Sequence, residues 1–196
     1  TSTVEDVEKK TSKSYAPSLY KLSDIQVEAN KTYGYSADKV LSLVQSLYEE
    51  HKLVSYPRCD CRFISSELAK SFDKLLKPIS SLEGLKTYVE NISIDDMNRI
   101  SKNKTYVNDE EVNKSSHTAL LPTGIIPDIS KLSKDELNIY TMICKRFLAI
   151  FLNPEISEKT TVITVNNEEK FKTTGKIILD KGYTEKKKKK GTDNEI

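Results

Sequence analysis

Apolar residues three and four apart mark the middle of the chain as helical, while both ends alternate in the manner of strands. Val40, Val44, Leu47 and Tyr48, with Leu41 and Leu43 beside them, give one buried face to a helix that Ser36 caps and that runs to about Glu50. Ahead of it, Ser23-Asp24-Ile25-Gln26 has the S-x-x-Q form of a capping box and predicts a helix that stops near Gly34. Leu68, Phe72, Leu75 and Leu76 signal a helix from Ser65 that Pro78 ends. Between Ser80 and Ser115 the periodicity is weak, and only a short helix near Ile94 to Ile100 is predicted. Ser133-Lys134-Asp135-Glu136 is a second capping box. Leu137, Tyr140, Ile143, Cys144, Phe147, Leu148 and Phe151 behind it form the wide stripe of a core helix that Pro154 closes.

Strand patterns occupy Ser2–Tyr15 and, after Pro154, Thr160 to Val165, Lys170 to Thr174 and Ile177 to Leu179, with a turn at Asn166-Asn167-Glu168-Glu169. The fold class is therefore α+β and mainly helical, a helical domain inserted into a small antiparallel β arm built from both chain ends. The predicted division is residues 1–22 and 158–185 for the two parts of the arm, 23–157 for the helical domain, and 186–196 for a Lys-rich tail.

At 196 residues, 37% of them hydrophobic and 31% charged, the chain has the composition of a polar globular protein with a real core. The formal charge of +2 misleads, because without the five lysines at Lys186 to Lys190 the chain has 26 basic against 29 acidic residues. Any nucleic-acid site must then be a local patch, and the Lys run reads as a solvated tail. Three cysteines, Cys59, Cys61 and Cys144, make no disulfide framework and no zinc ladder, and point to a reducing compartment. No apolar run approaches the roughly 18 residues of a membrane span. A chain that begins with Thr1 reads as a piece of a longer protein.

The stretch from Ser55 to Phe63 carries the candidate chemistry. Pro57 keeps Tyr56 on extended backbone, and alternation then sets Tyr56, Arg58, Asp60 and Arg62 on one side and Cys59, Cys61 and Phe63 on the other. A phenol, two guanidinium groups and a carboxylate on one side suit an anion or phosphate site; a salt-bridged surface strand is the plainer alternative. The two cysteines read as packing residues.

Tyr56-Pro57-Arg58-x-Asp60 closely resembles the active-site segment of type IA DNA topoisomerases, usually written Y-P-R-T-D-S. Pro17-Ser18-Leu19-Tyr20-Lys21-Leu22-Ser23, Gln26, Glu28-Ala29-Asn30, Ser36-Ala37 and Gln45-Ser46-Leu47-Tyr48-Glu49 resemble the lead-in of the topoisomerase III branch, and His117-x-Ala119-Leu120-Leu121-Pro122-Thr123 resembles its H-x-A-I-x-P-T segment. The helix from Leu132 to Ala149, Thr160-Thr161-Val162 and Phe171-x-x-x-Gly175 follow in the family's order. Cys59 and Cys61 depart from the family's Thr and Ser, and Ser116 stands where many members carry Asp or a small residue.

The resemblance implies transient cleavage and religation of single-stranded DNA, independent of ATP, with negatively supercoiled DNA as the larger substrate. Tyr56 would be the nucleophile that forms a 5′-phosphotyrosyl link and frees a 3′-hydroxyl. Arg58 would stabilise charge on the phosphoryl oxygens, and His117 would hydrogen-bond the scissile phosphate. Asp60 would orient Arg58, and Arg62 would hold the DNA backbone. Family members bind Mg2+ through a Toprim domain bearing a D-x-D cluster. No D-x-D occurs here, and Asp95-Asp96 and Asp109-Glu110-Glu111 read as solvated loops. The implied picture is a monomeric central fragment lacking the metal half of its site, inactive alone, from a cytoplasmic enzyme associated with a bacterial nucleoid or plasmid and without membrane contact. The alternatives are a non-catalytic single-strand-binding module, in which Tyr and Arg only stack and pair with backbone, and a structural domain with no nucleic-acid role.

Overall fold

The computed structural model describes residues 3–166 and 169–186. They divide into two compact units, one made of the chain up to Ala16 and again from Asn153, the other of Pro17–Leu152.

The first unit is a three-stranded antiparallel sheet in the order β1 (Thr3–Ser14), β2 (Glu155–Asn166), β3 (Glu169–Asp180). The two chain ends pair as the alternation predicts, Ser14 opposite Glu155 and Thr3 opposite Val165, with a bulge between Val4 and Asp6. β2 starts five residues before the predicted Thr160, and β3 runs unbroken through Gly175. Ladder pairing decides those bounds, because Glu, Lys and Ser have little strand preference of their own. Buried Glu155 accepts from Lys176 Nζ and Thr184 Oγ1, both at 3.0 Å, and Ser157 Oγ lies 3.1 Å from Ser12 Oγ. Part of the predicted turn, Asn167-Glu168, and the Lys run beyond Lys186 lie outside the described residues.

The second unit is helical. α1 (Leu22–Tyr33) differs at its start from the predicted box: Ser23 lies inside the helix, Lys21 is the N-cap, and Asp24 Oδ2 accepts the Lys21 N–H at 3.3 Å. Asp24 prevails because a carboxylate at the third helical position both satisfies a backbone donor and faces the positive end of the helix dipole. Gly34, at φ 72°, ends α1 through its N–H to the Asn30 carbonyl. α2 (Ala37–Glu49) is capped by Ser36, whose Oγ accepts from Lys39 N–H at 3.2 Å.

The helix predicted from Ser65 is two pieces, α3 (Ser66–Ala69) and α4 (Phe72–Leu76). The break turns Phe72 into an aromatic cluster with Phe147 and Phe151, whose ring centroids lie 5.0–5.9 Å apart. Pro78 does not end the run. It sits in the first turn of a 3-10 segment (Lys77–Ser81), where a missing N–H costs nothing.

α5 (Lys86–Glu90) and α7 (Asp109–Ser115) flank the predicted α6 (Ile94–Ser101). Asp95-Asp96 and Asp109-Glu110-Glu111 are thus the first turns of α6 and α7 and not loops, with Ser93 and Asn108 as caps. Their charges suit helix N-termini, a signal that the weak apolar periodicity hides. α8 (Lys134–Ala149) has the predicted Ser133–Glu136 box and stops five residues before Pro154. Ile25 and Ala29 of α1, Val40, Val44 and Leu47 of α2, and Ile139, Tyr140, Ile143 and Phe147 of α8 are fully buried core. Burying each large side chain is worth about 1.5–3 kcal/mol.

Candidate active site

Two segments far apart in sequence lie side by side. Val54 bridges Pro122 in antiparallel fashion, with Ser55 N–H on the Leu121 carbonyl and Thr123 N–H on the Leu53 carbonyl, both at 2.9 Å. The Ser55 hydroxyl adds two bonds, donating to the Ala119 carbonyl at 2.8 Å and accepting from Leu121 N–H at 3.0 Å. On the other flank, Leu120 N–H reaches the Tyr20 carbonyl at 2.8 Å, and Ala119 N–H the Phe63 carbonyl at 2.9 Å. The apolar residues of this segment, Leu53, Val54, Ala119, Leu120 and Leu121, are buried, so the frame is packed beneath the surface it presents.

That frame sets Tyr56 against His117, 61 positions later in the sequence. Their rings stack at 4.5 Å between centroids and 28° between planes. Tyr48 of α2 packs edge-on to Tyr56 at 5.7 Å, so the phenol is held on two sides and still 38% exposed. Each segment is entered through a non-glycine residue in the left-handed region, Lys52 at φ 57° and Ser116 at φ 59°. A residue with a side chain is strained in that region, where glycine alone is at ease.

Beyond Tyr56 the alternation holds without a regular strand. Tyr56, Arg58, Asp60 and Arg62 are exposed, and Pro57, Cys59 and Cys61 are buried. Burial pushes the Cys59 thiol up to about 11, so it stays protonated at neutral pH and serves as packing. Cys61 does what a serine would do there: its Sγ accepts the Phe63 N–H at 3.3 Å and closes a local turn. Both cysteines are free thiols.

Arg58, Asp60, Arg62 and Phe63 line an open groove of about 610 Å³ together with Glu111 and Lys114 of α7. Among the described residues Arg58 and Asp60 take no hydrogen-bond or ion-pair partner, so Arg58 is free to meet an incoming anion. Arg62 is engaged. It grips Asp24 in two bonds of 2.6 and 2.7 Å, and the guanidinium holds the Asp24 carboxyl below the usual carboxylate range. Lys114 likewise pairs with Glu110 and Glu111 at 3.0 and 2.8 Å. Sequence reasoning did not reach Ser55, Asp24 or Lys114, because only folding tells a bridging serine or a groove lysine from surface polarity.

Behind the Tyr56 segment, Glu136 of α8 accepts from Ser46 Oγ at 2.6 Å and from Ser133 N–H at 2.8 Å and faces His51 Nε2 at 3.3 Å. Partial burial opposes its ionised form, but these hydrogen bonds and His51 outweigh it and hold the carboxyl at about 2. Among the described residues no cluster of three or more His, Cys, Asp or Glu could hold a metal ion. No such set of carboxylates is gathered for Mg2+ among the described residues. No helix there is long and apolar enough to cross a membrane.

A family model described as DNA topoisomerase matches residues 1–196. DNA topoisomerase 3 of Bacillus subtilis is 38% identical over 180 residues, covering 92% of this chain and 24% of that protein. DNA topoisomerase 3 of Bacillus cereus is 35% identical over 194 residues, 99% of this chain and 26% of that protein. The chain thus spans about a quarter of the length of these relatives. Full-length topoisomerase I from Thermotoga maritima shares the fold, with a TM-score of 0.66 and 22% identity over 100% of this chain and 31% of that one.

Proposed function

The chain belongs to the DNA topoisomerase family, in its type IA, topoisomerase III-like branch, and on that premise we propose that it carries the nucleophilic half of the active site of a parent enzyme that cleaves and religates single-stranded DNA. The observation that carries the reading is the ring stack of Tyr56 on His117, built by the pairing of two motifs 61 positions apart. Coincidental surface residues would not need such a frame.

In this mechanism the Tyr56 oxygen attacks a backbone phosphorus as its phenolic proton leaves. A P–O bond forms to tyrosine, the P–O bond to the neighbouring sugar's 3′ oxygen breaks, and that oxygen takes up a proton to become a 3′-hydroxyl. The 5′-phosphotyrosyl link conserves the bond energy, so religation is the reverse step and needs no ATP. Arg58 meets the charge on the phosphoryl oxygens with a planar fork of donors. His117, beside the phenol, donates a hydrogen bond to the same phosphate. Asp60 orients Arg58 when the phosphate arrives, and Arg62 holds the adjoining backbone once it exchanges Asp24 for phosphate.

Mg2+, which the family reading assigns to the parent, belongs on carboxylates outside this chain; no step above passes through it. Single-stranded and negatively supercoiled DNA are the proposed partners of a monomeric, cytoplasmic parent associated with the nucleoid or a plasmid. The deciding experiment traps a labelled oligonucleotide on the parent enzyme and maps the adduct. A label on Tyr56 that Tyr56→Phe abolishes is the expected result. Binding without any adduct would favour the single-strand-binding module instead.

A further inference from the structure

The pairing about Val54 and Pro122 is a ladder that ends early. Its next rung would need Leu121 N–H on the Ser55 carbonyl and the N–H of residue 57 on the Ala119 carbonyl. Residue 57 is proline and has no N–H. The Ser55 hydroxyl fills both places, donating to the Ala119 carbonyl at 2.8 Å and accepting from Leu121 N–H at 3.0 Å. Ala119 and Leu121 are 0% and 1% exposed, so neither backbone group has water to turn to.

We propose that Ser55 is a positioning residue for the covalent step: its hydroxyl terminates the ladder, so that the chain turns outward at Tyr56 and the phenol stands against His117. This rests on the reading of Tyr56 as nucleophile. Ser55 acts through the backbone of the His117 segment and not on the phosphate. A single oxygen that donates to one strand group and accepts from another pins the register at the last residue before the nucleophile. A slip of one residue there would turn Tyr56 to the opposite face. Pro57 and Ser55 work together, one removing the backbone donor and the other supplying a side-chain donor in its place.

The test compares Ser55→Thr, which keeps the hydroxyl, with Ser55→Val, which keeps the shape of threonine without it. In this chain the readout is the ring-proton chemical shift of His117, one of only two histidines, with Tyr56→Leu as the unstacked reference. In the parent enzyme it is single-turnover cleavage beside affinity for the same oligonucleotide at fixed salt. Ser55→Thr is expected to keep the His117 shift and to cleave within about twofold of the starting rate. Ser55→Val is expected to move the shift to the unstacked value and to lower cleavage by about 10²-fold, with affinity changed by less than about threefold, since small misplacement of a reacting group costs that much. If Ser55→Val keeps the His117 shift, or if rate and affinity fall by the same factor, the proposal is wrong. Should Ser55→Val fail to fold, Ser55→Ala is read against Ser55→Thr by the same criteria. A parent that forms no adduct with Ser55 intact would sink the covalent reading, while the His117 shift would still decide the positioning claim.

Discussion

Arg58 is where catalysis and binding separate at the scale of one residue. Among the described residues it has no carboxylate partner, unlike Arg62 and Lys114 in the same groove. If it meets charge that develops on the phosphoryl group, Arg58→Ala in the parent should slow cleavage by about 10²–10³, as deletion of an oxyanion donor does. DNA affinity should fall much less, because only interactions stronger in the transition state raise the rate of the chemical step. Arg58→Lys should recover part of the loss, since a point charge cannot reproduce a two-pronged contact. Equal losses in rate and affinity at fixed salt would make Arg58 a binding residue. Lys52 gives an independent prediction about strain. Its φ of 57° costs an L-residue about 1–2 kcal/mol, and its carbonyl, which Thr123 Oγ1 bonds at 2.7 Å, survives substitution. Lys52→Gly should therefore raise the melting temperature by about 2–4 °C for roughly 1 kcal/mol gained. A lower melting temperature would contradict this and mean that glycine's freedom in the unfolded chain and the loss of the Lys52 ammonium over the Tyr48 ring outweigh the strain relieved.

Among the elements, α8 ties α2 to the approach to Tyr56, although no site residue lies on it. Glu136 in its first turn collects Ser46 from α2 and His51 from the approach to Tyr56. Its carboxyl sits at about 2 in the folded chain against an ordinary 4.5, so the ionised group is the stabilising form. The contribution is then fully present above about pH 4.5 and drains away as pH falls towards 2. Glu136→Gln should destabilise by about 1–3 kcal/mol at pH 7, the worth of hydrogen bonds to a charged acceptor, and should flatten the acid limb of the stability curve. Denaturant melts of both proteins between pH 3 and pH 7 would show it; parallel curves would contradict it. The helix itself was legible from Ser133 and the stripe after it. Its partners were not, because a capping glutamate and a glutamate that also serves other elements look alike in sequence.

For the whole molecule, the issue is what a quarter of a family member can do. The described residues offer Tyr56, Arg58 and His117 but no carboxylate cluster for a metal. This chain alone, supplied with Mg2+, is expected to leave negatively supercoiled plasmid unrelaxed under conditions in which the parent relaxes it. Relaxation by the purified chain, lost again in Tyr56→Phe, would show that the chemistry needs no carboxylates from elsewhere.

Local signals determined much of this protein. Ser36, Ser133 and Gly34 fixed helix ends through hydrogen bonds that reach only a few residues, and alternation after Pro57 sorted Arg58 and Asp60 from Cys59 and Cys61. The strand patterns at both ends foretold one sheet, because the single N-terminal strand has no hairpin partner of its own and pairs with the C-terminal hairpin. What lies between distant segments was decided only in three dimensions. The split of α3 from α4 follows Phe72 into a cluster with Phe147 and Phe151, against its own helical spacing. The bidentate hold of Asp24 on Arg62 joins residues 38 positions apart, and neither position marks the other. Tyr56 and His117 were each visible as motifs, but their stacking depends on the backbone pairing of Leu53–Ser55 with Leu121–Thr123 and on the Ser55 hydroxyl. The backbone bonds form between groups common to nearly all residues, so no residue type announces them, and a serine hydroxyl that bridges two strands looks like any other serine in sequence.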